Sequence, residues 1–104
     1  MNTPLASRSL VAVKPNGERI AVELAIGHPY ELTPEEWAIS VSMRGIRARL
    51  GDIHGIDAWQ VIQLAYSFIG QLMEQFVEEG GRLYWPETDE PIELHELFSR
   101  DIGK

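Results

Sequence analysis

The chain contains no cysteine. This absence excludes disulfide bonds, thiolate-ligated zinc or iron–sulfur sites, and thiol nucleophiles, and it makes the cytoplasm the expected location. The N-terminal stretch MNTPLASRSL lacks a basic region followed by an apolar one, so we expect no signal or transit peptide. No apolar run approaches the roughly 20 residues that span a bilayer, so we expect no membrane partner.

Lysine and arginine are scarce relative to acidic residues. The chain has 9 basic and 16 acidic residues, giving a formal net charge of −7. Residues 58–104 hold nine acidic and three basic side chains, against seven and six in residues 1–57. This excess opposes binding to nucleic acid or anionic lipid. It permits a basic protein partner, although a solvated acidic surface that keeps the protein in solution is the alternative.

Signatures of catalysis are also missing. The chain has neither a Gly-x-Ser-x-Gly elbow nor a glycine-rich phosphate loop with its lysine. Asp52, His54 and Asp57 place two carboxylates and an imidazole at a predicted helix start, where they could line a small ligand or acid–base pocket. A metal site would need further ligands from elsewhere in the fold. Because Asp57 is explained as a helix cap and Asp52 as a loop residue, we expect no catalytic residue, metal or cofactor.

Residues 55–81 predict a long helix. Asp57 and Gln60 have the spacing of a capping box, and Gly80 and Gly81 supply a residue free to end the helix in the left-handed conformation. About six turns lie between these signals. The apolar residues that follow the rhythm of a core-facing surface are Val61, Ile62, Ala65, Phe68, Ile69, Leu72, Met73, Phe76 and Val77.

The helix carries further apolar residues beside that surface. Trp59, Tyr66 and Gly70 extend one flank, which either the C-terminal segment or a second protein chain could cover. With Met73 they would form a self-complementary stripe, because helices approach closely at a glycine, and we expect a two-fold homodimer. Aromatic residues near strand ends are further candidate anchors. The candidate interaction residues are therefore Trp59, Tyr66, Gly70, Met73, Tyr84 and Trp85.

Period-two alternation predicts strands before the helix. Residues 9–13 form a β-branched run, residues 14–17 have the composition of a tight turn, and residues 19–26 alternate cleanly. These features predict an antiparallel hairpin with one buried face.

The next segment predicts a second hairpin. Residues 33–36 have capping-box letters with proline at the first helical position, which predicts a single helical turn. Residues 37–43 alternate as one strand, Arg44-Gly45 predicts a two-residue turn, and residues 51–55 are expected to form a loop. The predicted pairs are Met43 with Ile46, Val41 with Ala48 and Ile39 with Leu50.

After the helix, residues 82–85 predict a fifth strand. Residues 92–98 could form a returning strand, a short helix, or one followed by the other. The expected fold is a single α+β domain over residues 1–104, in which an antiparallel meander of about four to five strands packs on one long helix.

The helix and the strand after it carry the pattern Gly55-x-Asp57-x-x-Gln60-x-x-x-Leu64-Ala65-x-x-x-Ile69, followed by Arg82-Leu83-x-Trp85. This pattern resembles a bacterial family known only as a domain of unknown function, over roughly Leu10 to Trp85. The resemblance implies no activity and no site residues. We therefore expect a non-catalytic protein-interaction domain. The alternative is a small enzyme or ligand-binding domain with its pocket near Asp52, His54 and Asp57.

Overall fold

Two antiparallel sheets and one long helix form the fold in the computed structural model, which describes residues 3–47 and 50–98. The large sheet has the strand order β5-β2-β1-β7, and the small sheet has the order β3-β4-β6. The expected α+β class is confirmed. The described elements are β1 (Ala6–Val13), β2 (Arg19–Ile26), β3 (Tyr30–Thr33), β4 (Glu36–Ile39), β5 (Val41–Arg44), β6 (Ile53–Gly55), α1 (Ala58–Glu78), β7 (Arg82–Tyr84) and α2 (Leu94–Leu97).

The hairpin of β1 and β2 follows the prediction. Gly17 takes a φ of 92°, and its N–H donates to the Lys14 carbonyl at 2.8 Å. The pairing runs from Val13 opposite Arg19 to Ala6 opposite Ile26, so β1 begins three residues earlier than the alternation indicated. The apolar side chains of both strands lie on one face of the hairpin, and this face points towards α1.

The segment predicted as one strand from residue 37 to 43 belongs to both sheets. It breaks at Ser40, so that β4 pairs with β3 and β6 while β5 pairs with β2. The Gly27 N–H donates to the Ser40 carbonyl at 2.9 Å at this junction. Ala38 and Ile39 are adjacent in the sequence, yet both are fully buried. This single alternating run therefore forms one strand in each sheet.

The predicted two-residue hairpin after β5 is wrong. The N–H groups of Ile46 and Arg47 both donate to the Met43 carbonyl, at 3.1 and 2.9 Å, and Met43 bridges to Arg47. Residues 51–55, expected to form a loop, contain β6, and Ile53 rather than Leu50 lies opposite Ile39. The pair that involved Ala48 lies outside the described residues. Alternation determines which face of a strand is buried but not which strand lies beside it. Here β2 pairs with β5.

The helical turn expected at residues 33–36 is also absent from the described chain. Pro34 and Glu35 instead form the tip of the β3–β4 hairpin, where the Thr33 Oγ1 accepts from the Glu35 N–H at 3.2 Å. Threonine followed by proline suits a turn as well as a helix start, and strand pairing decides between them here.

Both ends of α1 match the sequence signals. Asp57 Oδ1 accepts from the Gln60 N–H at 2.8 Å, and Gln60 Oε1 accepts from the Ile56 N–H at 2.8 Å. At the other end Gly80 takes a φ of 103°, and the N–H groups of Gly80 and Gly81 donate to carbonyls of the last turn. These bonds satisfy groups that a helix end leaves without partners.

The core lies between α1 and the sheets. Beyond β7 the Ile92 N–H donates to the Leu83 carbonyl at 2.8 Å, and the chain then forms α2, so the short-helix alternative is the one observed. The buried core residues are Leu10, Ala12, Val22, Leu24, Ile39, Val41, Met43, Val61, Ala65, Ile69, Met73, Leu83, Ile92 and Phe98.

Candidate functional site

The apolar helix flank predicted as a dimer surface is not continuous. Met73 is fully buried in the core. Gly70 lies under Phe98, whose Cδ1 would be 3.4 Å from a Cβ at that position. The Tyr66 hydroxyl donates to the Leu97 carbonyl at 3.2 Å, and the Tyr66 and Phe98 rings pack edge to face with centroids 5.2 Å apart. The C-terminal segment therefore contacts Tyr66 and Gly70, so the four residues do not form one exposed stripe, and the two-fold homodimer stays a prediction.

Trp59 has no such cover and is 76% exposed. Two other apolar side chains share its end of the small sheet. Ile56 (62% exposed) directly follows Gly55, which pairs with Trp37 on β4. Leu32 (48% exposed) lies in the β-bulge where β3 meets the start of β4. We call Leu32, Ile56 and Trp59 the anchor patch.

The charge around the anchor patch is of one sign. Residues 27–43 and 50–73 contain five carboxylates, all exposed, and no lysine or arginine. All lysines and arginines of the described residues lie in the large sheet or in its turns. We call the carboxylates at the small sheet the acidic rim, which consists of Glu31, Glu35, Glu36, Asp52 and Asp57.

The predicted pocket residues each have a separate partner. Asp52 accepts a hydrogen bond from the Tyr30 hydroxyl. That bond raises the pKa of Tyr30, and lost hydration and the negative charge of Asp52 add to the effect. His54 Nδ1 lies 2.9 Å from Glu36 Oε2, and Asp57 caps α1. In residues 3–47 and 50–98 no three histidine or acidic side chains are grouped to hold a metal ion. The structure does not bring Asp52, His54 and Asp57 together around one centre.

Tyr84 and Trp85 are half-buried beside arginines. The Arg8 Cζ lies 4.4 Å from the centroid of the Trp85 ring, and the Arg19 Cζ lies 5.9 Å from that of Tyr84. Arg19 also pairs with Asp89, with Nη2 and Oδ1 2.8 Å apart. Both aromatic rings therefore make cation–π contacts with arginines of the same chain.

An apolar groove that the sequence reasoning missed lies at the open end of the space between the large sheet and α1. Its volume is about 520 Å³. Four separate parts of the chain line it, namely the paired ends of β1 and β2, one face of α1, Trp85 after β7, and the segment around α2. One signal was present in the sequence, because Arg8 shares the alternation face of Leu10 and Ala12. The main lining residues are Arg8, Leu24, Ile26, Ile69, Trp85, Leu97 and Phe98.

None of the helices in the described ranges has the length and apolar character needed to cross a bilayer.

No protein-family model, curated protein sequence or solved structure matches the chain. The candidate sites therefore rest on this structure alone.

Proposed function

We propose that the protein is a non-catalytic interaction domain that binds a basic protein partner through the anchor patch and the acidic rim. The observation that carries the proposal is the 76% exposure of Trp59. Tryptophan is enriched among the residues that dominate binding energy at protein interfaces. A solvated surface helix does not need so large an apolar side chain in its first turn, whereas a binding surface does.

The charge of the acidic rim selects the class of partner. The five carboxylates form no salt bridge with a described lysine or arginine, so they attract a basic surface and repel nucleic acid and anionic lipid. Apolar contacts at the centre and opposite charges at the edge match the usual anatomy of a protein interface. We therefore infer a partner with an apolar side chain flanked by lysine or arginine.

The backbone around the anchor patch is fixed before any partner binds. Trp59 stands in the first turn of a helix that is capped by Asp57, and Ile56 has its N–H held by Gln60. Leu32 lies in a hairpin paired to the rest of the small sheet. A fixed surface loses less conformational entropy on binding, which favours affinity.

The acidic segment of residues 74–96 is the weaker candidate surface. Asp89 there is already paired with Arg19, and the Glu96 side chain accepts from the Glu93 N–H at 2.8 Å. Its exposed apolar side chain on α1, Val77, is smaller and 37% exposed. Charge without a large apolar anchor favours a solvated surface over a binding one.

The location we propose is the cytoplasm of a bacterium. It rests on the absence of cysteine and on the sequence resemblance given above. Detection of the tagged protein in fractionated bacterial cells tests it, and recovery in a membrane or secreted fraction would contradict it.

Calorimetric titration with a synthetic peptide of alternating lysine and leucine tests the proposed function. We expect Trp59→Ala to weaken binding by about tenfold or more, the loss typical of an interface anchor. Val77→Ala is the matched control, since it also removes an exposed apolar side chain from an acidic part of α1, and it should change the affinity by less than about twofold. Equal weakening by both substitutions, or equally tight binding of a glutamate–leucine peptide, would overturn the proposal.

A further inference from the structure

The groove beside the large sheet is lined by an exposed charged residue, Arg8, that lies on the core side of its strand. Arg8 precedes the fully buried Leu10 by two residues on β1 and pairs with Leu24 on β2. Residues two apart on a strand point to the same face, so Arg8 continues the row that forms the core. Its guanidinium lies over the Trp85 ring at the groove rather than within the core.

Arg8 has no carboxylate within 4.0 Å among residues 3–47 and 50–98. The acidic lining residue Glu96 uses its Oε1 to accept the Glu93 N–H. A contact through the face of Trp85 provides electrostatic attraction but no acceptor for the guanidinium N–H groups. These donors are suited to bind a planar anion such as a carboxylate in a two-pronged arrangement.

Apart from Ser7, Tyr66 and Glu96, the remaining walls of the groove are apolar. Ile26 and Ile69 face it from the large sheet and from α1, and Leu97 and Phe98 close it from the C-terminal side. The hydrogen bond from Tyr66 to the Leu97 carbonyl fixes this last wall to the helix. A mainly apolar cavity with a few placed polar groups is the usual construction of a small-molecule site, and about 520 Å³ lies within the usual size range.

We infer that the groove binds an alkyl carboxylate, with the carboxylate on Arg8 and the alkyl chain against Ile26, Ile69 and Phe98. Charge complementarity with Arg8 selects an anionic headgroup, and the apolar walls select the chain. None of these residues belongs to the anchor patch or the acidic rim. The inference therefore stands or falls separately from the proposed function.

Methyl and amide NMR signals during titration with octanoate test this inference. We expect signals of Leu24 and Ile69 to move and those of Trp59 to stay. Octanol, which has the same chain without the charge, should bind at least about tenfold more weakly, the loss expected when a charge-assisted hydrogen bond is removed. Arg8→Gln should weaken octanoate binding by a similar factor and leave octanol unaffected.

Two further variants control the result. Arg44→Gln removes an arginine from β5, outside the groove, and should leave octanoate affinity within about twofold, as expected for a distant surface charge. Arg8→Lys keeps the charge but loses the planar fork, so it should bind octanoate more tightly than Arg8→Gln and less tightly than the unchanged protein.

Three results would overturn the inference. The first is no change in the Leu24 and Ile69 signals with octanoate. The second is equal affinity for octanoate and octanol, which would indicate an unspecific apolar surface. The third is movement of the same signals on raising the protein concentration alone, which would show that a second copy of the chain occupies the groove.

Discussion

The two sheets place their apolar residues differently although one helix packs on both. In the large sheet, Leu10, Val22 and Met43 are buried beneath α1. In the small sheet, all four residues of β3 are exposed, and the anchor patch and most of the acidic rim lie at one end. The difference indicates a division of roles, in which burial at the large sheet and on β4 stabilises the fold, and the outer end of the small sheet keeps apolar surface available for binding.

The largest expected effect comes from truncating one buried and one exposed apolar side chain at the small sheet. Ile39 on β4 is fully buried, whereas Ile56 at the patch is 62% exposed. Ile39→Ala should lower the free energy of unfolding by about 2–5 kcal/mol, because it removes core contacts and leaves a cavity. Ile56→Ala should change it by no more than about 0.5 kcal/mol. Urea unfolding measures both, and similar losses would mean that the patch is part of the core.

The junction between the sheets gives a smaller effect. A Cβ at Gly27 would clash with Ser40 Oγ, while its contacts with the rest of Ser40 would be ordinary. Gly27→Ala should therefore cost about 1–3 kcal/mol by overpacking, and most of that cost should vanish when Ser40→Ala is also present. A double-mutant cycle of unfolding free energies measures the coupling. Additive losses would show that Ser40 does not limit the space at Gly27.

Within the acidic rim, one carboxylate has a structural role. Asp57→Ala should lower the free energy of unfolding by about 1 kcal/mol, because the Gln60 N–H loses its acceptor. Asp52→Ala is the control, since Asp52 accepts from the exposed Tyr30 side chain and should cost less than about 0.5 kcal/mol. Thermal unfolding compares the two. An unchanged melting temperature for Asp57→Ala would contradict the capping role and leave its carboxylate free for binding.

The smallest effect is the titration of Tyr30. Its pKa is raised in the folded state by the hydrogen bond to Asp52. A raised pKa stabilises the fold fully below the ordinary tyrosine value of about 10, and the contribution is lost as the pH rises through the folded-state pKa. Asp52→Asn should move the pKa of Tyr30 towards its ordinary value. Tyrosinate absorbance against pH measures this shift, and Tyr30→Phe identifies the signal of Tyr30. Identical curves for the unchanged protein and Asp52→Asn would contradict the prediction.

Local signals predicted the elements around the large sheet well. The turn at Gly17, the cap at Asp57 and the helix end at Gly80 each depend on a few adjacent residues, and each was predicted. The break at Ser40 and the pairing of β5 with β2 were not, because alternation specifies a buried face and leaves the neighbouring strand undetermined.

The candidate sites were harder to predict for the same reason. Trp59 was identified as an interaction residue, but it was grouped with Gly70 and Met73, which Phe98 and the core cover. The other exposed apolar residues at this end of the small sheet, Leu32 and Ile56, come from β3 and from the link between β6 and α1, which strand pairing brings to one end. The groove at Arg8 combines residues from β1, α1 and the C-terminal segment, and no local pattern encodes that combination.

The binding role of the small sheet depends on where a basic partner binds. Amide NMR mapping with the lysine–leucine peptide measures this directly. We predict that the largest shifts fall in residues 31–37 and 54–60, which include the anchor patch and most of the acidic rim. They should be lost in Trp59→Ala. Largest shifts in residues 74–93, where the chain is also acidic but has no exposed tryptophan, would show that charge alone determines binding and would contradict the role given to the small sheet.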